Sequence, residues 1–423
     1  MRIDILFDTI FMVMMRMKFV SNISRSKYIN FVSKHQKAHF LQSYAWGQFA
    51  IVGKKQDPIY VGMEDDKGNL KCAALLLKKN TPLGYSYVYS PRGFVIDFND
   101  KKLLKEFTDS LKEFMKKNKI IYIKIDPDIK YQTIDENAQK IDGEDNYKVF
   151  NNLKELGYIH KGFNKLYEGN QPRYTFRTDL TQSVEEIDSK ISKSFLKSVK
   201  RSYAYELEID NEPNIDEFCR LNQFNSDKDG FSAYSKEYFT EFYNQFSKEK
   251  TVKFFNAYIN YDKLNKNIDN NIKEVEEKLK TDKKHVNDLN NQLDRLKKDK
   301  ETFKDGKGRV MVCSLICVYA GDKAWSLYIG SDELANYTFA VSRCYYDSMI
   351  DAKENGYKVY DLFGTVGDPN TTYKNLAHLH DFKRKFGGEY IEFVGEFDLV
   401  NNNPLYRMLP TLLKIYRTIR KSK

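Results

Sequence analysis

The chain has 423 residues and a formal charge of +10, with 41% hydrophobic and 14% aromatic residues. That much apolar side chain excludes a disordered protein, and the length exceeds one ordinary core, so two domains plus an insertion are expected. The cationic excess favours anionic partners, whether phosphates, nucleic acid or a membrane surface, without choosing among them.

In chain order, residues 5–15 are apolar but short, are interrupted by Asp8 and lack a small-residue cleavage site. They are not read as a signal peptide, and no stretch reaches the roughly 18 continuous apolar residues of a membrane span. Met17-Lys18-Phe19-Val20 reads as a natural beginning, which makes residues 1–16 an N-terminal extension. A strand and a polar helix are expected over residues 18–32, then an aromatic-rich helix entrance over residues 40–47 that contains Trp46. Residues 60–62 and 72–77 predict a hairpin, with Asp66-Lys67-Gly68-Asn69 as turn chemistry. The strand at 85–89 runs into Ser90-Pro91-Arg92-Gly93, a turn of phosphate size with one cation, Arg92. Leu103, Leu104, Phe107, Leu111 and Phe114 are spaced for a helix laid on a sheet, and residues 120–125 form a buried strand closed by Asp126-Pro127. Residues 17–150 make one α/β unit.

A second, similar unit follows. A helix ends at Gly157, residues 174–180 predict a strand, and residues 183–205 predict a single strongly basic helix. Ile191, Phe195, Val199 and Tyr203 pack on one face of it, while Lys190, Lys193, Lys197, Lys200 and Arg201 point outward. Residues 227–231 read as a polar turn, 234–246 as an amphipathic helix and 252–259 as a strand. Then the texture changes. Leu264, Ile268, Ile272, Val275 and Leu279, and again Val286, Leu289, Leu293 and Leu296, form two narrow stripes that predict an antiparallel coiled-coil arm folded near residues 280–284. Strands at 310–319 and 324–329 and a helix at 339–354 resume the unit, so the arm is an insertion. The expected division is 17–150, then 151–260 joined with 307–403 around an arm at 261–306. A basic amphipathic helix at 404–423 closes the chain, suited to anionic lipid or to docking on its own domain.

The chain converges on residues 356–396. Val359, Leu362 and Phe363 predict a short buried strand ending at Gly364, followed by a polar loop, the triplet Lys383, Arg384 and Lys385, and a half-buried strand over 390–397. Cations at strand ends suit an anionic ligand, although a solvated surface turn accounts for the triplet equally well. Asp361, at the strand end, is a candidate base, with a structural carboxylate as the alternative reading. Tyr360 and Phe382 shape a pocket or simply pack. The five cysteines read as reduced thiols, with Cys313 and Cys317 on one strand face, and His378 and His380 read as a polar loop rather than a metal pair.

Several stretches, in this order, carry a resemblance: Phe40-Leu41-Gln42-Ser43, Tyr89-Ser90-Pro91-Arg92-Gly93-Phe94-Val95-Ile96-Asp97, Tyr122-Ile123-Lys124-Ile125-Asp126-Pro127, Gln171-Pro172-Arg173, Gly356-Tyr357-Lys358-Val359-Tyr360-Asp361 and Phe382-Lys383. With the inserted hairpin, they make the chain from about Met17 onward resemble the Fem-type peptidoglycan aminoacyltransferases. The resemblance implies an α/β (α+β) fold of two GNAT-like acyltransferase domains with the arm inserted in the second. It implies transfer of Gly, Ala or Ser from aminoacyl-tRNA, a co-substrate with no further cofactor, to the stem-peptide amine of lipid II or UDP-MurNAc-pentapeptide. Lys383, in the Phe-Lys pair with Phe382, then serves catalysis. Lys197, helped by Lys200 and Arg201, then meets the precursor's phosphates at a position where arginine is commoner, and Trp46, Arg92 and Tyr360 complete the substrate-binding set. A lysine that often follows the Trp-Gly pair is here Ala50, with Lys54 and Lys55 near but not equivalent.

Such a protein is expected in the cytoplasm, at the periphery of the inner membrane face, as a homodimer or beside related bridge-forming aminoacyltransferases. An aminoacyl ester is already activated, so aminolysis needs alignment and a stabilised oxyanion more than a strong nucleophile. Lys383 suits that task as a compact cation, facing either the tetrahedral intermediate or a tRNA 3′-end phosphate. Two alternatives stay open. One is an acyl-CoA N-acyltransferase of the same fold, whose pyrophosphate turn Arg384 to Glu389 fails to match at its last position. The other is a non-catalytic tRNA-binding protein.

Overall fold

The structure, a computed structural model, describes residues 17–81, 84–230 and 232–411. The N-terminal extension and most of the expected tail helix lie outside the described residues.

Strand β1 (Lys18–Ser21) leads to helices α1 (Arg25–Val32) and α2 (Tyr44–Gly53). The Ser43 hydroxyl caps α2 by accepting the Trp46 N–H at 3.0 Å, which fixes where the aromatic run turns onto the sheet. The hairpin of β2 (Asp57–Glu64) and β3 (Leu70–Asn80) turns at Asp65, whose carboxylate accepts the Lys67 and Asn69 N–H groups at 3.0 and 2.8 Å. Then β4 (Ser86–Ser90), α3 (Lys101–Lys117) and β5 (Ile120–Ile125) make a parallel crossover, with α3 burying Leu104, Phe107 and Leu111. The chain continues through β6 (Lys130–Ile134), β7 (Lys140–Asp145), α4 (Tyr147–Glu155), β8 (Tyr158–His160) and β9 (Tyr174–Asp179).

The single basic helix expected over residues 183–205 is two helices, α5 (Val184–Lys190) and α6 (Lys193–Ser202). Ile191 leaves the helix at φ −67° and ψ 139°, and the Ser192 N–H donates to the Lys385 carbonyl at 2.8 Å. That bond comes from far along the chain, so no local periodicity signals the break. After β10 (Glu208–Asp210), helix α7 (Ile215–Asp229) takes in Asp227, Lys228 and Asp229, read as part of a polar turn, and stops at Gly230, whose φ of 74° suits a glycine C-cap. Next come α8 (Lys236–Ser247) and β11 (Val252–Asn260).

Helices α9 (Tyr261–Thr281) and α10 (Val286–Phe303) form the arm. They run antiparallel, with Asp269 paired to Lys300 at 2.7 Å, and clasp Val275, Leu293 and Leu296 between them. The base of the arm is not free: Leu264, Ile268 and Phe303 are part of the second half's core. The remaining elements are β12 (Arg309–Ala320), β13 (Lys323–Ser331), α11 (Glu333–Tyr337), α12 (Ala340–Glu354), β14 (Val359–Asp361), α13 (Lys374–Arg384), β15 (Glu389–Phe393) and β16 (Phe397–Val400). Three expectations are corrected here. Leu362 and Phe363 lie beyond their strand. The polar loop contains α13, so His378, His380, Lys383 and Arg384 are helical. The strand over 390–397 is two strands, broken where Gly395 takes φ 88°, and β15 is buried rather than half-buried.

Among the described residues the strands form a seven-stranded sheet, β1-β2-β3-β4-β5-β16-β8, and a nine-stranded sheet, β10-β11-β12-β13-β14-β9-β15-β6-β7. Sheet membership does not follow a division at residue 150. The hairpin of β6 and β7 joins the second sheet through β15, and β16 crosses back to pair with β5 and β8 in the first. Between the halves lies an aromatic core of Phe40, Trp46 and Phe49 against Phe239, Phe242, Phe246 and Trp325. Lys323 ties the halves further, its Nζ donating to the Gln36 and Ala38 carbonyls at 2.9 and 3.1 Å.

Residues 403–411 are helical and dock on the first sheet: the Tyr406 hydroxyl donates to Asp398 at 2.7 Å and accepts from Lys161 Nζ at 2.8 Å. Among the described residues no helix is long and apolar enough to cross a membrane, and no group of three or more His, Cys, Asp or Glu is placed to hold a metal.

Candidate functional site

Among the described residues each sheet contains one parallel pair, β4 with β5 and β13 with β14. Both pairs stop early. The first ends at Ser90 opposite Ile125, and the second pairs only as far as Trp325 opposite Asp361. Past those points the strands part, and the gaps face one another across a cavity of about 420 Å³. Tyr89 and Pro91 line it from the first sheet, Leu327, Tyr328 and Phe363 from the second, and Trp46 from α2. Asn170, Gln171 and Pro172 form a further wall. A ligand site outside the carboxyl ends of parallel strands is the general rule for α/β sheets, and here two such ends share one space.

Phe363 and Gly364 form the floor of the second gap in left-handed backbone, with φ of 45° and 75°. Beneath them lies Lys383, only 5% exposed. Its Nζ donates to the Phe363 carbonyl at 2.6 Å and to the Gly364 carbonyl at 2.5 Å. Burial pulls the amine down to about 7, and the nearby Asp361 carboxylate only partly offsets this. Lys383 is therefore not the exposed cation at a loop that the sequence suggested. It does not line the cavity, and its donors are committed to main chain.

Asp361 is engaged on all sides. It accepts from Thr175 Oγ1 at 2.6 Å, from the Phe363 N–H at 2.8 Å and from Arg177 Nε at 2.7 Å. Arg177 in turn pairs with the buried Asp128 at 2.8 Å, and these two carboxylates hold its guanidinium charged despite burial. A carboxylate so occupied fits the structural alternative offered for Asp361 better than a free base.

With this geometry in view, the comparisons with known proteins decide the family. A FemAB family model matches residues 23–414. The chain belongs to the FemAB family. Lipid II:glycine glycyltransferases from Staphylococcus epidermidis and Staphylococcus haemolyticus are each 28% identical to it, over 407 and 410 residues, covering 92% of this chain and 94% of theirs. The enzyme of the same name from Staphylococcus aureus is 27% identical over 411 residues, with the same coverage. The crystal structure of FemX aligns with a TM-score of 0.77 at 24% identity, covering 92% of this chain and 99% of that one, and establishes the fold. The α+β architecture expected from the sequence is thus the FemX fold, and the chain is a transferase.

In this FemAB chain several other expected site residues are placed differently. Tyr360 is fully buried on the opposite face of β14, its hydroxyl 2.6 Å from Ser348 Oγ, a placement that fits the packing alternative. Phe382 lies between Phe195, Tyr345 and Phe386, anchoring α13 to α6 and α12. Arg92 is buried; it donates to the Pro172 carbonyl at 2.5 Å and lies 4.2 Å above the Phe393 ring, so it clamps the cavity wall from behind. Trp46 does line the cavity, and its buried indole N–H has no hydrogen-bond partner among the described residues. Lys197, Lys200 and Arg201 lie exposed on α6, outside the cavity lining, with Arg201 over the Phe339 ring at 4.6 Å.

Lys54 was set aside in the sequence as not equivalent to a family lysine, yet it lines the cavity at the C-terminus of α2. Its Nζ lies 4.9 and 5.0 Å from the Tyr234 and Tyr238 ring centroids. The ion pairs of Arg177 and the hydrogen bonds of Asp126 leave no local signal in the sequence because their partners are remote in the chain. Asp126 accepts from Tyr89 and the Arg92 N–H at 2.8 and 2.7 Å, and burial raises its carboxyl to about 6 despite Arg92.

Proposed function

We propose that this FemAB chain is a tRNA-dependent aminoacyltransferase that moves glycine from glycyl-tRNA to the stem-peptide amine of lipid II, a step in building the peptidoglycan interpeptide bridge. The observation that carries the reading is the shared cavity where both parallel pairs part. One gap can present an ester carbonyl and the other an amine, which is what aminolysis by proximity requires. Lipid II and glycine are what the similar staphylococcal enzymes are named for, and transfer RNA follows from the family resemblance. A cationic cavity wall at Lys54, with Lys197 and Lys200 exposed nearby in sequence to the Ser192 break, suits polyanionic substrates. The lipid carrier places the protein at the cytoplasmic face of the membrane as a peripheral visitor.

The test is one assay matrix: tRNAs charged with Gly, Ala or Ser against lipid II and against UDP-MurNAc-pentapeptide, read by mass of the stem peptide. A gain of one or more glycines on lipid II is expected. Transfer from acetyl-CoA in place of tRNA, or no transfer from any charged tRNA, would overturn the reading.

A further inference from the structure

The peptide joining Phe363 to Gly364 is held from one side. Lys383 takes both carbonyls, and a trans peptide points its N–H opposite to its C=O, so the Gly364 N–H faces away from Lys383. The neighbouring N–H groups are all used: Leu362 donates to the Phe176 carbonyl at 3.0 Å, Phe363 to Asp361 at 2.8 Å and Thr365 to the Tyr174 carbonyl at 2.8 Å. The Gly364 N–H donates to none of the described residues.

Around Gly364 stand Pro172 and Tyr167. A Cβ there would lie 2.6 Å from Pro172 Cγ and 3.6 Å from the Tyr167 hydroxyl oxygen. Phe363 and Pro172 both line the large cavity. The Tyr167 hydroxyl also makes no hydrogen bond to a described residue; the residue as a whole is 40% exposed, yet desolvation pushes its phenol up to about 12, so it keeps its proton at neutral pH.

We infer that the Gly364 N–H and the Tyr167 O–H are the two donors of an oxyanion cradle at the cavity's edge, and that Lys383 is a positioning residue that fixes and polarises the peptide from behind. This rests on the aminoacyl transfer proposed above. In that step the acceptor ammonium first gives up one proton. Its nitrogen then attacks the ester carbonyl carbon, a C–N bond forms, and the carbonyl π pair moves onto oxygen, where the two donors meet it. Collapse re-forms the carbonyl and breaks the ester C–O bond. The ribose oxygen leaves and takes up the second proton, which the former amine nitrogen releases as the adduct collapses, giving a neutral amide and a free tRNA hydroxyl. Glycine is required at 364 because any side chain would collide with Pro172 and fill the cradle.

The test compares wild type with Tyr167→Phe. Loss of one oxyanion donor should lower kcat by about 100-fold while KM for charged tRNA and for lipid II stays within twofold. Thermal unfolding of the variant should match wild type. In protein labelled with [15N]glycine, a phosphonate analogue of the tetrahedral adduct should move the Gly364 amide proton downfield. That resonance is assigned by its loss in Gly364→Ala, and Lys383→Met should abolish the shift. Wild-type kcat in Tyr167→Phe, or a Gly364 amide indifferent to the phosphonate, would overturn the cradle while leaving the transferase reading intact. A wild-type protein inactive with every charged tRNA would overturn both.

Discussion

Lys383→Met tests whether an amine is neutralised by burial beneath the Phe363-Gly364 turn. The folded-state pKa is about 7, whereas an unfolded lysine titrates near its ordinary value of about 10.4. Between those values the unfolded chain holds a proton that the folded chain has released, so stability rises with pH across this window. For one group with these two pKa values, the rise from pH 7 to pH 9 is about 2 kcal/mol. The methionine variant lacks this gain. It also leaves the Phe363 and Gly364 carbonyls without a donor, a pH-independent loss of about 1–3 kcal/mol for each. Urea unfolding of both proteins at pH 7, 8 and 9 isolates the residue, because every other titrating group is common to the two. The stability difference in favour of wild type should grow by about 2 kcal/mol from pH 7 to pH 9. A difference that stays flat, or grows towards pH 7, would mean that Lys383 remains an ordinary ammonium, and the buried-amine argument would fail.

Other expectations follow from the same contacts. Asp361→Asn removes one of the two carboxylates that neutralise buried Arg177 and should cost about 3–5 kcal/mol in urea unfolding, with less than 1 kcal/mol counting against a brace. The double variant Lys197→Ala/Lys200→Ala should raise KM for lipid II about tenfold at unchanged kcat and melting temperature, the loss expected for one or two charge-assisted contacts. An unchanged KM would remove α6 from substrate binding. Replacing residues 276–292 of the arm with a short glycine-rich turn should leave the melting temperature nearly unchanged. Leu264→Ala, at its buried base, should cost about 2–5 kcal/mol, and equal effects from the two changes would contradict the division into free tip and anchored base.

Much of the fold was legible because local chemistry and tertiary structure agree. Helix α3 buries most of the stripe that its spacing marks out, and the arm's alternating threes and fours pack on the other arm helix towards the tip and on the second half's core at the base. The failures share one cause. The helix break at Ile191, the brace on Asp361 and the burial of Lys383 are each made by residues distant in the chain: Lys385, Arg177 and the turn at 363–364. A run of three cations in sequence looks solvated, yet α13 turns Lys383 inward while Arg384 and Lys385 stay exposed. Tyr167 carried no signal at all, since its loop has no periodicity and its neighbour Gly364 lies far downstream.

The crossing of β16 into the first sheet bears on how the protein is made. Until residues 397–400 leave the ribosome, β5 has an unpaired edge, although nearly all of its own sheet has already been synthesised. Prematurely terminated products therefore carry a raw, aggregation-prone border, and neither half can be expressed alone as a finished body.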